Sequence, residues 1–140
     1  MEEVIKTETA TVSHDLFEGP LNTTATFSDC GLFRYEMSWT FNAALPLLYF
    51  YCLNPSVGDH KKMDPTNGGM MTRARLWGFG GFCAINAFAY RAVSPKDMVK
   101  AADPVGPYND EMTMLVLAKA FKDDSPVIAG WGNNGSHMDR

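Results

Sequence analysis

The chain lacks most of the features that announce familiar chemistries. It has only three cysteines, Cys30, Cys52 and Cys83, in neither a C-x-x-C pair nor an even set, which argues against a disulfide scaffold or a thiolate metal site. They are expected to be small buried apolar residues in a reducing cytosol. No GxxxxGK[ST], G-x-G-x-x-G, G-x-S-x-G or H-E-x-x-H run occurs, so P-loop, dinucleotide-fingerprint, serine-hydrolase and zincin readings fall back. No apolar run reaches the roughly 18 residues of a membrane span, and MEEVIKTETATVSH has acids where a signal peptide needs bases. A cytoplasmic chain with no membrane partner is expected. Basic charge is scarce too. The 12 Lys and Arg against 16 Asp and Glu leave a net charge of -4, unlike the basic surface of a nonspecific polyanion binder.

Aromatic and sulfur-bearing residues are plentiful: nine Phe, five Tyr, three Trp and nine Met oppose the composition of a disordered chain. At 140 residues, folding removes roughly two thirds of the unfolded surface from water, enough for one self-sufficient core. A single α/β domain over residues 1–140 is expected.

Residues 5–12, IKTETATV, alternate in polarity as a half-buried strand does. Residues 23–27 and 33–41 predict a hairpin about the turn Ser28-Asp29-Cys30-Gly31, with Tyr35, Met37 and Trp39 on its packed face and Arg34, Glu36 and Ser38 on its wet one. The unbroken runs 45–53 and 82–89 predict strands covered on both faces, and 126–131 a short third. Between them, MMTRARLWGFGG predicts a helix closed by glycines, 95–101 a short helix, and 109–123 a helix capped by Asn109 with Met112, Leu115, Val116 and Ala120 as its apolar face. A hairpin followed by strand, helix, strand, helix, strand predicts a three-layer α/β/α domain with a mostly parallel central sheet. Ligands of such sheets gather beyond the carboxyl ends of the strands.

The buried runs end or break at Leu53-Asn54-Pro55-Ser56, at Ile85-Asn86 and at Gly130-Trp131-Gly132-Asn133, positions that meet on one rim if the strands are parallel. Each alone also reads as a strand terminator or a turn. Asp64-Pro65-Thr66-Asn67 reads either as a helix cap or as an anion site at a helix N-terminus, helped by Arg73 or Arg91. Asp59, His60 and Asp64 match no zinc or EF-hand spacing and predict a solvated loop. His14, His60 and His137 fall in expected loops without an evident partner and are expected at the surface. Neither metal nor cofactor is expected.

Taken together, RYEMSW, LNPSVGD, DPTN, a helix with RAR, GFGGFCAINAFAYRAVSPKD, DPVGPYND and AGWGNNG resemble the bacterial and phage family known as domain of unknown function 1643, over about residues 31–137. More distantly, the chain resembles the uracil-DNA glycosylases. In those enzymes a buried strand delivers a G-x-[DN]-P water-activating loop, a later strand ends in an Asn that reads the base, and another carries L-W-G. Leu53-Asn54-Pro55-Ser56, Ile85-Asn86 and Gly130-Trp131-Gly132 follow in the same order here. The resemblance implies a uracil-DNA glycosylase-like fold that binds a nucleobase, nucleotide or DNA and hydrolyses an N-glycosidic bond. Asn54 would place the water, while Asn86, Ser56, Trp131 and Asn133 would hold the base and Arg73 or Arg91 a phosphate. The resembled enzymes also carry a late H-P-S-type loop, and the expectation is that this strand and loop are lacking. The alternative is a non-catalytic protein-interaction or regulatory domain on the same fold.

Overall fold

The computed structural model describes residues 5–14, 17, 19–55 and 60–139. Strands β1 (Ile5–Val12), β2 (Leu21–Ser28), β3 (Arg34–Thr40) and β4 (Leu48–Cys52) come first. Helix α1 (Pro65–Leu76), strand β5 (Gly81–Asn86), helices α2 (Pro95–Lys100) and α3 (Asn109–Lys122), and strand β6 (Val127–Gly130) follow. A short 3-10 segment, Asn133–Asp139, closes the described chain.

The strands form one open, mixed sheet of six in the order β1-β2-β3-β5-β4-β6. The expectation of a mostly parallel sheet is corrected: β1–β2, β2–β3 and β3–β5 are antiparallel, and only β4–β5 and β4–β6 are parallel. The physical reason is connection length. Ser28 to Phe33 closes a tight turn, with Gly31 N–H donating to the Ser28 carbonyl at 3.0 Å, so β3 must return beside β2, whereas the parallel pairs need helical crossovers. The N-terminal strand adds to the same sheet as its outer antiparallel member.

Helices cover opposite faces. Phe50, Phe82 and Ala84 pack with Met70, Met71 and Ala74 of α1, while Tyr49, Cys83 and Ile85 pack with Val116 and Ala120 of α3. Odd and even positions of β4 and β5 thus serve separate cores, as the two-residue period requires. Gly81 holds φ +154° where a Cβ would run into the Trp39 carbonyl, which lets β5 close onto β3.

Local expectations shift at several places. Helix α1 begins at Pro65 because the Asp64 side chain caps it, accepting from Asn67 N–H at 2.7 Å. Strand β5 stops at Asn86 instead of running to Ala89, because residues 89–91 swing back to pair with 32–34: Arg34 N–H donates to the Ala89 carbonyl at 2.9 Å and Arg91 N–H to the Leu32 carbonyl at 3.0 Å. On α3 the buried side is Asn109, Thr113, Val116 and Ala120, and Leu115 points outward. Cys30 is exposed, contrary to the expectation that all three thiols are buried. Among the described residues no helix is long and apolar enough to cross a membrane.

Candidate functional site

Parallel strands β4 and β5 feed loops that leave toward opposite faces, β4 into α1 and β5 toward α3. Such a switch point opens a crevice at the carboxyl ends of the strands. A pocket of about 120 Å³ sits there, lined among others by Arg34, Asn54, Asp64, Thr66, Asn67 and Asn86.

Each side chain arrives for a local reason. Asn86 is the last residue of β5 and shares the α1 face with Ala84. Its backbone is held by Asn109, whose side-chain amide donates to the Asn86 carbonyl at 2.9 Å and the Ala87 carbonyl at 3.1 Å. That bond pair explains why the expected cap has moved. Tyr108 occupies the N-cap position without a side-chain bond, and Asn109 turns inward to the sheet, fully buried. Asn54 follows β4 and donates from Nδ2 to the carbonyls of Pro55 and Ala92, both at 3.2 Å, so that its Oδ1 remains as an acceptor. Asn67 lies in the first turn of α1, behind the Asp64 cap.

Arg34 reaches the pocket through a β-bulge. Thr26 pairs with Glu36 but Phe27 pairs with Arg34, so Tyr35 is an extra residue on β3. The extra residue reverses the alternation, and Arg34, expected on the wet face, turns onto the packed α1 face with only 6% of its surface exposed. Its guanidinium stands near the Cys52 thiol, which burial pushes up and the arginine partly brings down. Cys52 therefore lines the pocket as a neutral thiol.

The polar lining is deeply placed. Asn67 and Asn86 are each 4% exposed, and no hydrogen bond to either side-chain amide is found among the described residues. Neither amide is sealed from solvent: both open onto the pocket and line it with a donor and an acceptor each.

The remaining sequence-predicted residues are dispersed. Trp131 lies two residues beyond Ala129, which pairs with Tyr51, and therefore stands on the α3 face. There its ring meets Tyr51 edge-on at 5.7 Å and lines a separate, apolar pocket of about 420 Å³ with Ala87, Gly135 and Ser136. Asn133 is exposed at the start of the 3-10 segment. Arg73 is exposed on α1, its Nη1 donating to the Gly69 carbonyl at 3.1 Å. Arg91 belongs to a third pocket, beside Phe27. Ser56 lies outside the described residues, as does Asp59. His60 is buried, not a surface residue, with its ring 6.0 Å from that of Phe27.

Fold and site together define an open mixed α/β domain with an amide-lined pocket at its switch point. Residues 34–140 match the family described as "Protein of unknown function (DUF1643)", and the chain belongs to that family. No curated protein and no solved structure matches it.

Proposed function

We propose that the chain binds a nucleobase or nucleotide, with the base ring in the pocket between Asn54, Asn67 and Asn86, as a domain related to the uracil-DNA glycosylases. The observation that carries this reading is the pair of amides, Asn67 and Asn86, that open onto one small pocket without a hydrogen bond to the described residues. A primary amide offers a donor and an acceptor side by side, the pattern a base edge answers. At about 120 Å³ the pocket is smaller than the roughly 150 Å³ cavity that holds a benzene ring, so a six-membered base would have to widen it and would leave sugar and phosphate outside.

Hydrolysis of the N-glycosidic bond is the activity that the glycosylase resemblance adds. Water would be oriented by Asn54 Oδ1, whose amide is fixed by its bonds to Pro55 and Ala92. Water oxygen bonds to the sugar carbon as the carbon–nitrogen bond breaks, and the base leaves with the electron pair. The Arg34 guanidinium on the pocket wall would stabilise that developing negative charge. An amide cannot take the proton of the water, which would pass to solvent.

Isothermal titration of the free bases and nucleosides tests binding, and abasic-site formation on uracil-containing DNA tests hydrolysis. Binding by wild type that Asn86→Ala abolishes supports the reading. No binding of any base by folded wild type overturns it, and binding without abasic sites removes the hydrolytic step alone.

A second reading, a protein-binding domain on the same fold, is favoured by α3. Met114 and Phe121 are 65% and 89% exposed and lie with Ala118 on one outward stripe at helical spacing, opposite the buried Val116 and Ala120. A partner that co-purifies with wild type and is lost with Phe121→Glu would support it, whereas equal retention by both proteins would count against it.

A further inference from the structure

Helix α1 begins beside the amide pocket, yet its N-terminus is already answered by a carboxylate, since Asp64 accepts from Asn67 N–H. A phosphate brought there would meet like charge. Positive charge gathers instead one step along the same face of the sheet. The pocket beside Phe27, of about 260 Å³, is lined by Lys6 of β1, Lys61, Arg91 and His60, with Glu8 and Asp29 as the acids among its described residues. On a chain of net charge -4, three permanent cations against two carboxylates among the described lining residues run counter to the composition.

The parts are held in place. The Arg91 guanidinium lies 5.0 Å over the Phe27 ring and donates to the Gly31 carbonyl at 3.1 Å, which sets its position before any ligand arrives. Lys6 pairs with Glu8 at 3.0 Å, and that contact holds the Glu8 carboxyl below its ordinary range. His60, 1% exposed, lies against Phe27 with its Nε2 3.8 Å from Glu8. Set against the Glu8 and Asp29 carboxylates, the three cations leave one net positive charge among the described lining residues.

The two pockets are neighbours by construction. Phe27 lines the cationic one and Arg34 the amide one, and these residues are cross-strand partners, whose Cβ atoms stand roughly 5 Å apart. Arg91 also directly precedes Ala92, whose carbonyl receives the Asn54 amide.

We infer that the pocket of Lys6, Lys61 and Arg91 over His60 is a phosphate subsite, serving the same ligand whose base enters the amide pocket. The inference rests on the nucleotide reading and deepens it by stating where the charge goes. The phosphate is either the terminal monoester of a free nucleotide or a diester of a DNA strand.

Titration calorimetry of the full chain with a nucleoside, its 5′-monophosphate and a short single-stranded oligonucleotide without terminal phosphates tests it. The monophosphate or the oligonucleotide is expected to bind about tenfold more tightly than the nucleoside, with a steep loss in salt. Lys6→Ala and Lys61→Ala should each bring that affinity toward the nucleoside's while leaving the nucleoside's unchanged. Preference for the monophosphate assigns a free nucleotide, and preference for the oligonucleotide assigns a strand. A nucleoside that binds as tightly as both overturns the subsite while the base reading stands. Phosphate-dependent binding that survives Asn86→Ala with no nucleoside binding in wild type overturns the base reading and leaves the subsite. Unchanged ratios in both lysine variants overturn the assignment of these residues.

Discussion

The side-chain amide of Asn109 donates to the backbone carbonyls of Asn86 and Ala87 at 2.9 and 3.1 Å, fastening the start of α3 to the end of β5. Its own Oδ1 is buried without a partner among the described residues, so the residue serves through its donors. The strand end that presents Asn86 to the pocket is therefore positioned from the opposite side of the sheet.

Asn109→Ala should strand two carbonyls and cost about 1–3 kcal/mol of stability. Asn109→Asp, which also puts charge against them, should cost more. Urea unfolding measures both. A loss below about 0.5 kcal/mol for Asn109→Ala, the size of an ordinary surface change, would mean that the fastening contributes little.

Asn54 carries a similar constraint with a chemical consequence. An aspartate would be a better base toward water, but Nδ2 donates to the Pro55 and Ala92 carbonyls, and a carboxylate would face both oxygens. Asn54→Asp is expected to lower stability by about 1–3 kcal/mol without a gain in abasic-site formation. A variant that is both as stable as wild type and faster would show that the amide is held there for neither reason.

The thiols should react in order of burial. Cys30 is exposed, whereas burial pushes up the Cys52 thiol and, further, the Cys83 thiol on β5. Because the thiolate is the reactive form, a disulfide reagent at mild pH should modify Cys30 first, Cys52 slowly, and Cys83 only on unfolding. Mass spectrometry of partially labelled protein reads the order, and early labelling of Cys83 would contradict the packing of α3 on β5.

The parts of the fold legible in the sequence were those set by local periodicity. The unbroken runs at β4 and β5 marked buried strands, and Asp64-Pro65 marked a helix start by cap chemistry. What the pattern hid was set by pairing between distant strands. A bulge at Tyr35 leaves no trace in the polarity of RYEMSW, so Arg34 read as wet although it lines the pocket. Asn109 read as a cap because its tie to β5 exists only in three dimensions. His60 read as solvated because nothing local says that Phe27 covers it. The sheet direction was misjudged for the same reason: the meeting of β3 with β5 is a choice among edges, which no single segment encodes.

Tyr49 gives a pH test of the α3 core. Burial, reinforced by nearby acidic groups, pushes its hydroxyl up to about 12 from an ordinary 10.0. The folded state therefore holds a proton that the unfolded state releases. The corresponding stability is complete below about pH 10 and is lost as pH rises toward 12. Chemical unfolding from pH 9 to 11.5 should show the decline, and Tyr49→Phe should flatten it. Parallel slopes in the two proteins would place the loss on other groups.

Trp131 decides between one rim site and two. The order of strand ends suggests that Asn54, Asn86 and Trp131 act together, but the two-residue period of the sheet separates them. Asn86 pairs with Cys52 on the α1 face, and Trp131 follows Ala129, the partner of Tyr51, onto the α3 face. A base held by Asn67 and Asn86 therefore has the sheet between it and the indole. Trp131→Phe should leave base affinity unchanged within about twofold, a free-energy change no larger than that of an ordinary surface substitution. Gly135→Ala, whose Cβ would run into the Trp131 ring, should displace the indole and alter its fluorescence, again without effect on binding. If Trp131→Phe instead weakens base binding as much as Asn86→Ala does, the ligand occupies the larger pocket beside Tyr51, and the amide pocket is not the base site.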